Sequence, residues 1–180
     1  MFCLSAASLA VCSTAFVLCS SPAAAHTGHE HSREIQIVEV SGLLDPVEID
    51  YINLQLDNAQ RNWALAIVLQ VNSPGGAADQ QQIQDLLENI EGSLVPVGAW
   101  IGQSGATAKG AAAHLVNAAN YSGIAPGSRI GGFADFERSE ETPTPGVGNT
   151  IRRGQEAVSA GLVDVMAPTL GEFLLRMEDV

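Results

Sequence analysis

Pro74-Gly75-Gly76 follows an apolar run, Ala64 to Val71, and precedes a stretch with helical periodicity. A turn leaving the carboxyl end of a buried strand is where open α/β sheets place ligands. Two glycines there leave backbone N–H groups uncovered and able to face a developing oxyanion. They also suit a tight turn that needs glycine conformations, and the residues by themselves allow both readings. Ser104, Lys109 and His114 lie close together in the chain, a hydroxyl, an amine and an imidazole within eleven residues. A serine activated by a lysine or histidine is the constellation of acyl transfer. Ser104 precedes the expected helix, however, and its spacing to Lys109 and His114 does not put them on one helix face. His114 in a triad would also need an orienting carboxylate, with Asp79 and Asp135 as the choices. The plainer readings are a solvated Lys109 at a pocket mouth and a His114 at a helix surface or subunit contact.

His26, His29 and His31 put three imidazoles in six residues, enough to attract a borderline transition metal. No second ligand cluster closes such a site, so a solvated tail is the preferred reading and no metal or other cofactor is expected. Phe2 to Leu18 carries no charge, and Ala23 and Ala25 give the small-residue pattern of a signal-peptidase site. Residues 1–25 are therefore expected to be an export signal, or an uncleaved anchor, and 26–33 a flexible tail. Cys3, Cys12 and Cys19 all fall in that first segment, leaving the mature chain without thiols. The expected location is periplasmic, extracellular or on the outer face of the cell membrane.

The elements that must position these groups follow a repeating rhythm. Glu34 to Val40 alternates as a strand, Asp45-Pro46 opens a helix reaching Arg61, and Ala64 to Val71 is a strand buried on both faces. A helix over Ala78 to Glu91 and a strand over Leu94 to Ile101 repeat the pattern. A small-residue helix over Ala106 to Asn120 and a short strand over Tyr121 to Ile124 complete a third round. The Glu/Thr/Pro/Gly-rich residues 133–149 read as a mobile surface loop. A helix over Thr150 to Ala160, a strand over Leu162 to Met166 and a helix from Leu170 end the chain. The fold class expected is α/β, with right-handed βαβ crossovers around a mainly parallel sheet, in one domain over 34–180.

The 180 residues carry a formal charge of −12, which repels polyanions and excludes most nucleic-acid roles. A hydrophobic share of 46% with only 5% aromatic residues fits an Ala/Val/Leu/Gly-rich α/β core, not an acidic disordered tail.

Five segments occur in a telling order: Val38 to Pro46, Asn72-Ser73-Pro74-Gly75-Gly76, Ser104-Gly105-Ala106, Ala125 to Gly131, and Ala160-Gly161-Leu162-Val163-Asp164. In this the chain resembles the NfeD group of membrane-associated serine peptidases, relatives of the Clp protease proteolytic subunit, over roughly Ile35 to Leu175. The resemblance implies a Clp/crotonase-like spiral of βαβ units. It implies oxyanion-hole amides at Gly75, Gly76 and Ala111, and a nucleophilic serine six residues after Ser104. That position holds Gly110, which has no side chain to attack with. The family's second catalytic group is a lysine beyond the Ala-Pro-Gly motif. Here Lys109 is the one lysine of the chain, and the cations after Gly132 and before Leu162 are Arg138, Arg152 and Arg153, which stay protonated near neutral pH.

Both dyad positions are thus vacant. The expectation is an exported, catalytically degenerate member that binds a peptide or a membrane-protein segment. The alternative is an active endopeptidase with Ser104 as displaced nucleophile, cutting apolar segments. Relatives of this fold tend to assemble, so a homo-oligomer is expected, with membrane association through the N-terminal segment. Acyl-CoA chemistry on the related crotonase fold is disfavoured by the export signal and the scarcity of cations for a polyphosphate.

Overall fold

The computed structural model describes residues 34–136 and 149–177. The expected export signal, the His-rich tail and residues 137–148 of the expected loop lie outside them.

Strand β1 (Ile35–Ser41) leads to helix α1 (Pro46–Arg61), β2 (Ala66–Asn72), α2 (Gln80–Glu91) and β3 (Val97–Ile101). Both helices start as the sequence demands. Asp45 accepts from the Glu48 N–H at 2.9 Å with Pro46 in the first turn, and Asp79 accepts from the Gln82 N–H at 2.9 Å. From α1, Ile49, Ile52, Leu56 and Ala59 are buried; from α2, Ile83, Leu86, Leu87 and Ile90. Full burial of each large aliphatic side chain contributes about 1.5–3 kcal/mol.

The chain continues through β4 (Thr107–Lys109), α3 (Ala111–Ala118), β5 (Tyr121–Ile124), β6 (Arg129–Gly131) and a 3-10 turn (Phe133–Asp135). It ends through β7 (Arg152–Arg153), α4 (Gly154–Ser159), β8 (Val165–Met166) and α5 (Leu170–Met177). A five-stranded sheet runs β1-β2-β3-β5-β8, every pair parallel, so the fold is α/β with a mainly parallel sheet. Helices on both faces explain why β2 reads as a continuous apolar run: Ile67, Leu69 and Val71 join the larger core, while Val68 joins Trp100 and Phe173 on the other face. The Trp100 indole N–H donates to the Ala167 carbonyl at 3.0 Å. Phe173 packs so close to the sheet that a Cβ at Gly123 would meet its ring at 2.5 Å.

A second sheet, β4-β6-β7, departs from the expectation. The expected helix over Ala106 to Asn120 is instead a strand, an elbow at Gly110 and a shorter helix. Its first residues are drawn off by pairing: Ser73 N–H donates to Thr107 O at 2.6 Å, Lys109 N–H to Ser73 O at 3.2 Å, and β4 lies parallel to β6. Alanine-rich sequence carries no apolar period with which to resist. Likewise Arg152 and Arg153 pair antiparallel with β6 before α4 begins, and the strand expected from Leu94 begins at Val97, after Pro96. Phe133 is buried in the 3-10 turn, so regular structure runs beyond the point where composition starts the loop.

Among the described residues no helix is long and apolar enough to cross a membrane. Burial pushes the Glu48 carboxyl above its ordinary value, opposed by a Ser41 backbone hydrogen bond and reinforced by the negative charges of Asp45 and Glu39.

Candidate functional site

The carboxyl end of β2 runs into the Ser73-Pro74-Gly75-Gly76 turn, and the turn is stapled from two sides. The buried Ser73 hydroxyl donates to Gly75 O at 3.0 Å and accepts from the Gly75 N–H at 3.3 Å. Leu44, between β1 and α1, donates its N–H to Gly75 O at 3.0 Å, and its carbonyl accepts from Ala77 and Ala78. Gly75 has thereby committed its amide, whereas the Gly76 N–H has no acceptor among the hydrogen bonds of the described residues.

Facing this turn is the elbow between β4 and α3. Gly110 holds φ 53° and ψ −124°, a conformation costly to any residue with a Cβ. Its N–H donates to Gly131 O at 3.1 Å, and its carbonyl receives the N–H groups of Ala113 and His114 to start α3. A sharp strand-to-helix turn is the device by which hydrolases lift a nucleophile clear of the sheet. Here the device lifts a hydrogen atom. Ala111, at the first helical position, has an N–H outside the intrahelical ladder.

The turn and the elbow meet in a cleft of about 410 Å³ lined by Leu43, Gly75, Gly76, Gly110, Ala111 and Phe136 among others. Their contact is tight, since a Cβ on Gly76 would stand 3.1 Å from the Cβ of Ala111. Gly75, Gly76, Gly110 and Ala111 are therefore brought together. Ser104, Lys109 and His114 do not line this cleft. Ser104 lines a separate polar hollow beside Glu39 and Asn72, and its hydroxyl donates to the Pro126 carbonyl at 2.6 Å. Lys109 lies half-buried on β4, with its own carbonyl 3.9 Å from where a Gly75 Cβ would be. The His114 ring is buried, with Nε2 3.1 Å from the Phe133 carbonyl and edge contacts to Phe133 and Phe136.

Chemically, the cleft is lined by backbone at Gly76 and Ala111, whose N–H groups lie outside the hydrogen-bonded ladders, and by mixed polar and apolar surface, with no hydroxyl at the elbow. Such donors hold a carbonyl oxygen whether or not it is attacked. Ser73, Leu43 and Phe136 are site residues that sequence reasoning did not single out. The Asn-Ser-Pro turn was a signal for Ser73, while Leu43 and Phe136 arrive only through tertiary packing. Among the described residues, no group of three or more His, Cys, Asp or Glu side chains converges as a metal site.

No protein-family model matches the chain. Over 97 residues, 54% of the chain, it is 25% identical to the membrane-bound protease PH1510 of Pyrococcus horikoshii. The chain is a homologue of that protease. The match spans only 22% of the relative's length. The solved 1510-N membrane protease, described as specific for a stomatin homolog from the same organism, superposes with TM-score 0.69 at 21% identity, covering 80% of this chain and 78% of that one. A 1510-N variant solved with a substrate peptide gives TM-score 0.65 at 16% identity, covering 80% of each chain. An enoyl-CoA hydratase from Thermoplasma volcanium gives TM-score 0.60 at 17% identity, over 76% of this chain and 67% of that one. The Clp/crotonase-like fold is thus common to the protease and hydratase neighbours and to this chain.

Proposed function

We propose that this homologue binds an extended peptide or membrane-protein segment in the Gly76/Ala111 cleft without cleaving it. The observation that carries the reading is Gly110: a strand-to-helix elbow at φ 53° and ψ −124° that has no side chain. The chain's one lysine, Lys109, sits on the strand before the elbow and not in the cleft lining. A peptide carbonyl accepting from Gly76 and Ala111 would gain two hydrogen bonds, each contributing about 0.5–1.5 kcal/mol net, while Leu43 and Phe136 take apolar side chains. That the related 1510-N protein was solved with a substrate peptide supports a peptide as the ligand class. Export and self-assembly belong to the same proposal, supported by the uncharged N-terminal run and by the fold relationship.

The competing reading makes Ser104 a displaced nucleophile of an active endopeptidase. Its hydroxyl would have to leave Pro126, and no lysine or histidine shares its hollow. Labelling the full chain with a serine-reactive phosphonate, followed by peptide mapping, separates the two. Binding of a fluorescent apolar peptide with no adduct and no cleavage supports the binding role. A stoichiometric adduct at Ser104, absent from Ser104→Ala, overturns it.

A further inference from the structure

We infer that the edge of the five-stranded sheet where its strands begin is a membrane-docking surface, seated on the interfacial zone of a zwitterionic phospholipid bilayer through Trp63, Leu65 and Leu94. The first observation is their exposure. Trp63, Leu65 and Leu94 are 77%, 50% and 87% exposed, all on two neighbouring turns. One turn feeds β2 and the other β3, and the two strands pair from Ile67 and Val97 onward. Leu65 N–H donates to Glu34 O at 2.9 Å, which brings the start of β1 to the same edge.

The second observation is an apolar groove of about 560 Å³ opening at this edge, lined by Ile35, Leu65, Leu94, Tyr121, Leu174 and Met177 among others. It is remote from the Gly76/Ala111 cleft and shares no lining residue with it.

The third is charge. In a chain of net charge −12, the connecting segments 62–65, 92–96 and 119–120 contain no charged residue. Three charge-free turns, with the acidic Glu34 and Asp164 beside them at the starts of β1 and β8, suit a zwitterionic surface and would be repelled by an anionic one. Tryptophan and leucine at such a place have the chemistry of side chains that settle at the headgroup boundary.

The fourth is strain. Trp63 alone among the non-glycine described residues has a positive φ, 53°, just past the end of α1 where glycine is the favoured residue. A bulky ring that is strained and exposed gains little packing to offset the strain, and such residues persist where function holds them.

The test uses the full chain with phosphatidylcholine vesicles and Trp fluorescence. The chain has two tryptophans, and Trp100 is buried with its indole N–H bonded, so a change of environment reports Trp63. The expected result is a blue shift with vesicles, shielding from aqueous iodide, and quenching by lipids brominated near the headgroup. Doping with phosphatidylglycerol should weaken all three. In Leu65→Glu/Leu94→Glu the quenching by brominated lipid should fall several-fold even where the chain still co-sediments. The inference is overturned if vesicles leave Trp63 as open to iodide as before, or if the shift persists in Trp63→Phe. It is equally overturned if the shift needs no lipid and grows with protein concentration, which would make this edge a contact between two copies of the chain.

Discussion

A Cβ placed on Gly76 would stand 3.1 Å from the Cβ of Ala111 and 2.8 Å from Cδ1 of Ile83. Ile83 can move its terminal methyl, but Ala111 is fixed by the backbone of α3. The turn and the first residue of α3 are thus held so close that even a methyl on the turn must push its neighbours aside, and glycine there is a matter of space.

Gly76→Ala is therefore expected to lower stability by about 1–3 kcal/mol, the usual cost of overpacking, and to remove peptide binding. Urea unfolding and fluorescence anisotropy of a labelled apolar peptide check the two parts. A variant that binds as the parent does would show that the turn takes a methyl without moving its amide out of the cleft.

Gly110→Ser restores a hydroxyl to the elbow and is expected to give no hydrolysis, because no lysine or histidine side chain lines the cleft to take its proton. It should also cost stability, about 1–3 kcal/mol for a Cβ forced to φ 53°, and Gly110→Ala should cost the same. Thermal unfolding and a fluorogenic peptide assay test this pair. Turnover by the serine variant above that of the alanine variant would mean that a base reaches the elbow after all.

The Glu48 carboxyl has a raised pKa in the folded chain and an ordinary one, 4.5, when unfolded, because burial disfavours its charge. The folded state then holds this proton more tightly than the unfolded state. Stability from this group is complete below 4.5 and falls as pH rises through the folded pKa. Glu48→Gln should accordingly melt higher than the parent at about pH 7 and level with it at about pH 4. An advantage that does not shrink on acidification would point to packing instead of charge.

The helix start at Asp45-Pro46 and the buried strand β2 were legible because capping and apolar period are local signals, whereas Asp79, weighed in sequence only as a triad carboxylate, caps the second helix. The second sheet was not. Thr107 to Lys109, Arg129 to Gly131 and Arg152-Arg153 are too short to show alternation, and only the partners they find across the fold make them strands. The same holds for the site. The glycine pair could be read from its place after β2, whereas the commitment of the Gly75 amide to Ser73 and the separation of Ser104 from the cleft are products of tertiary packing.

Trp63 offers a last test, in which stability and surface function should move in opposite directions. A non-glycine residue in the left-handed region costs about 1–2 kcal/mol, of which the greater unfolded-state freedom of glycine takes back about 0.5–1 kcal/mol. Trp63→Gly should therefore stabilise the chain by about 0.5–1 kcal/mol, since the exposed ring gives up little packing when removed. Differential scanning calorimetry would read this as a rise in Tm of a few degrees. The same variant should retain less protein on phosphatidylcholine vesicles in flotation than the parent does. If Trp63→Gly instead destabilises the chain, the indole is a packing residue of the α1–β2 turn, and its strain is compensated within the fold with no need of a membrane.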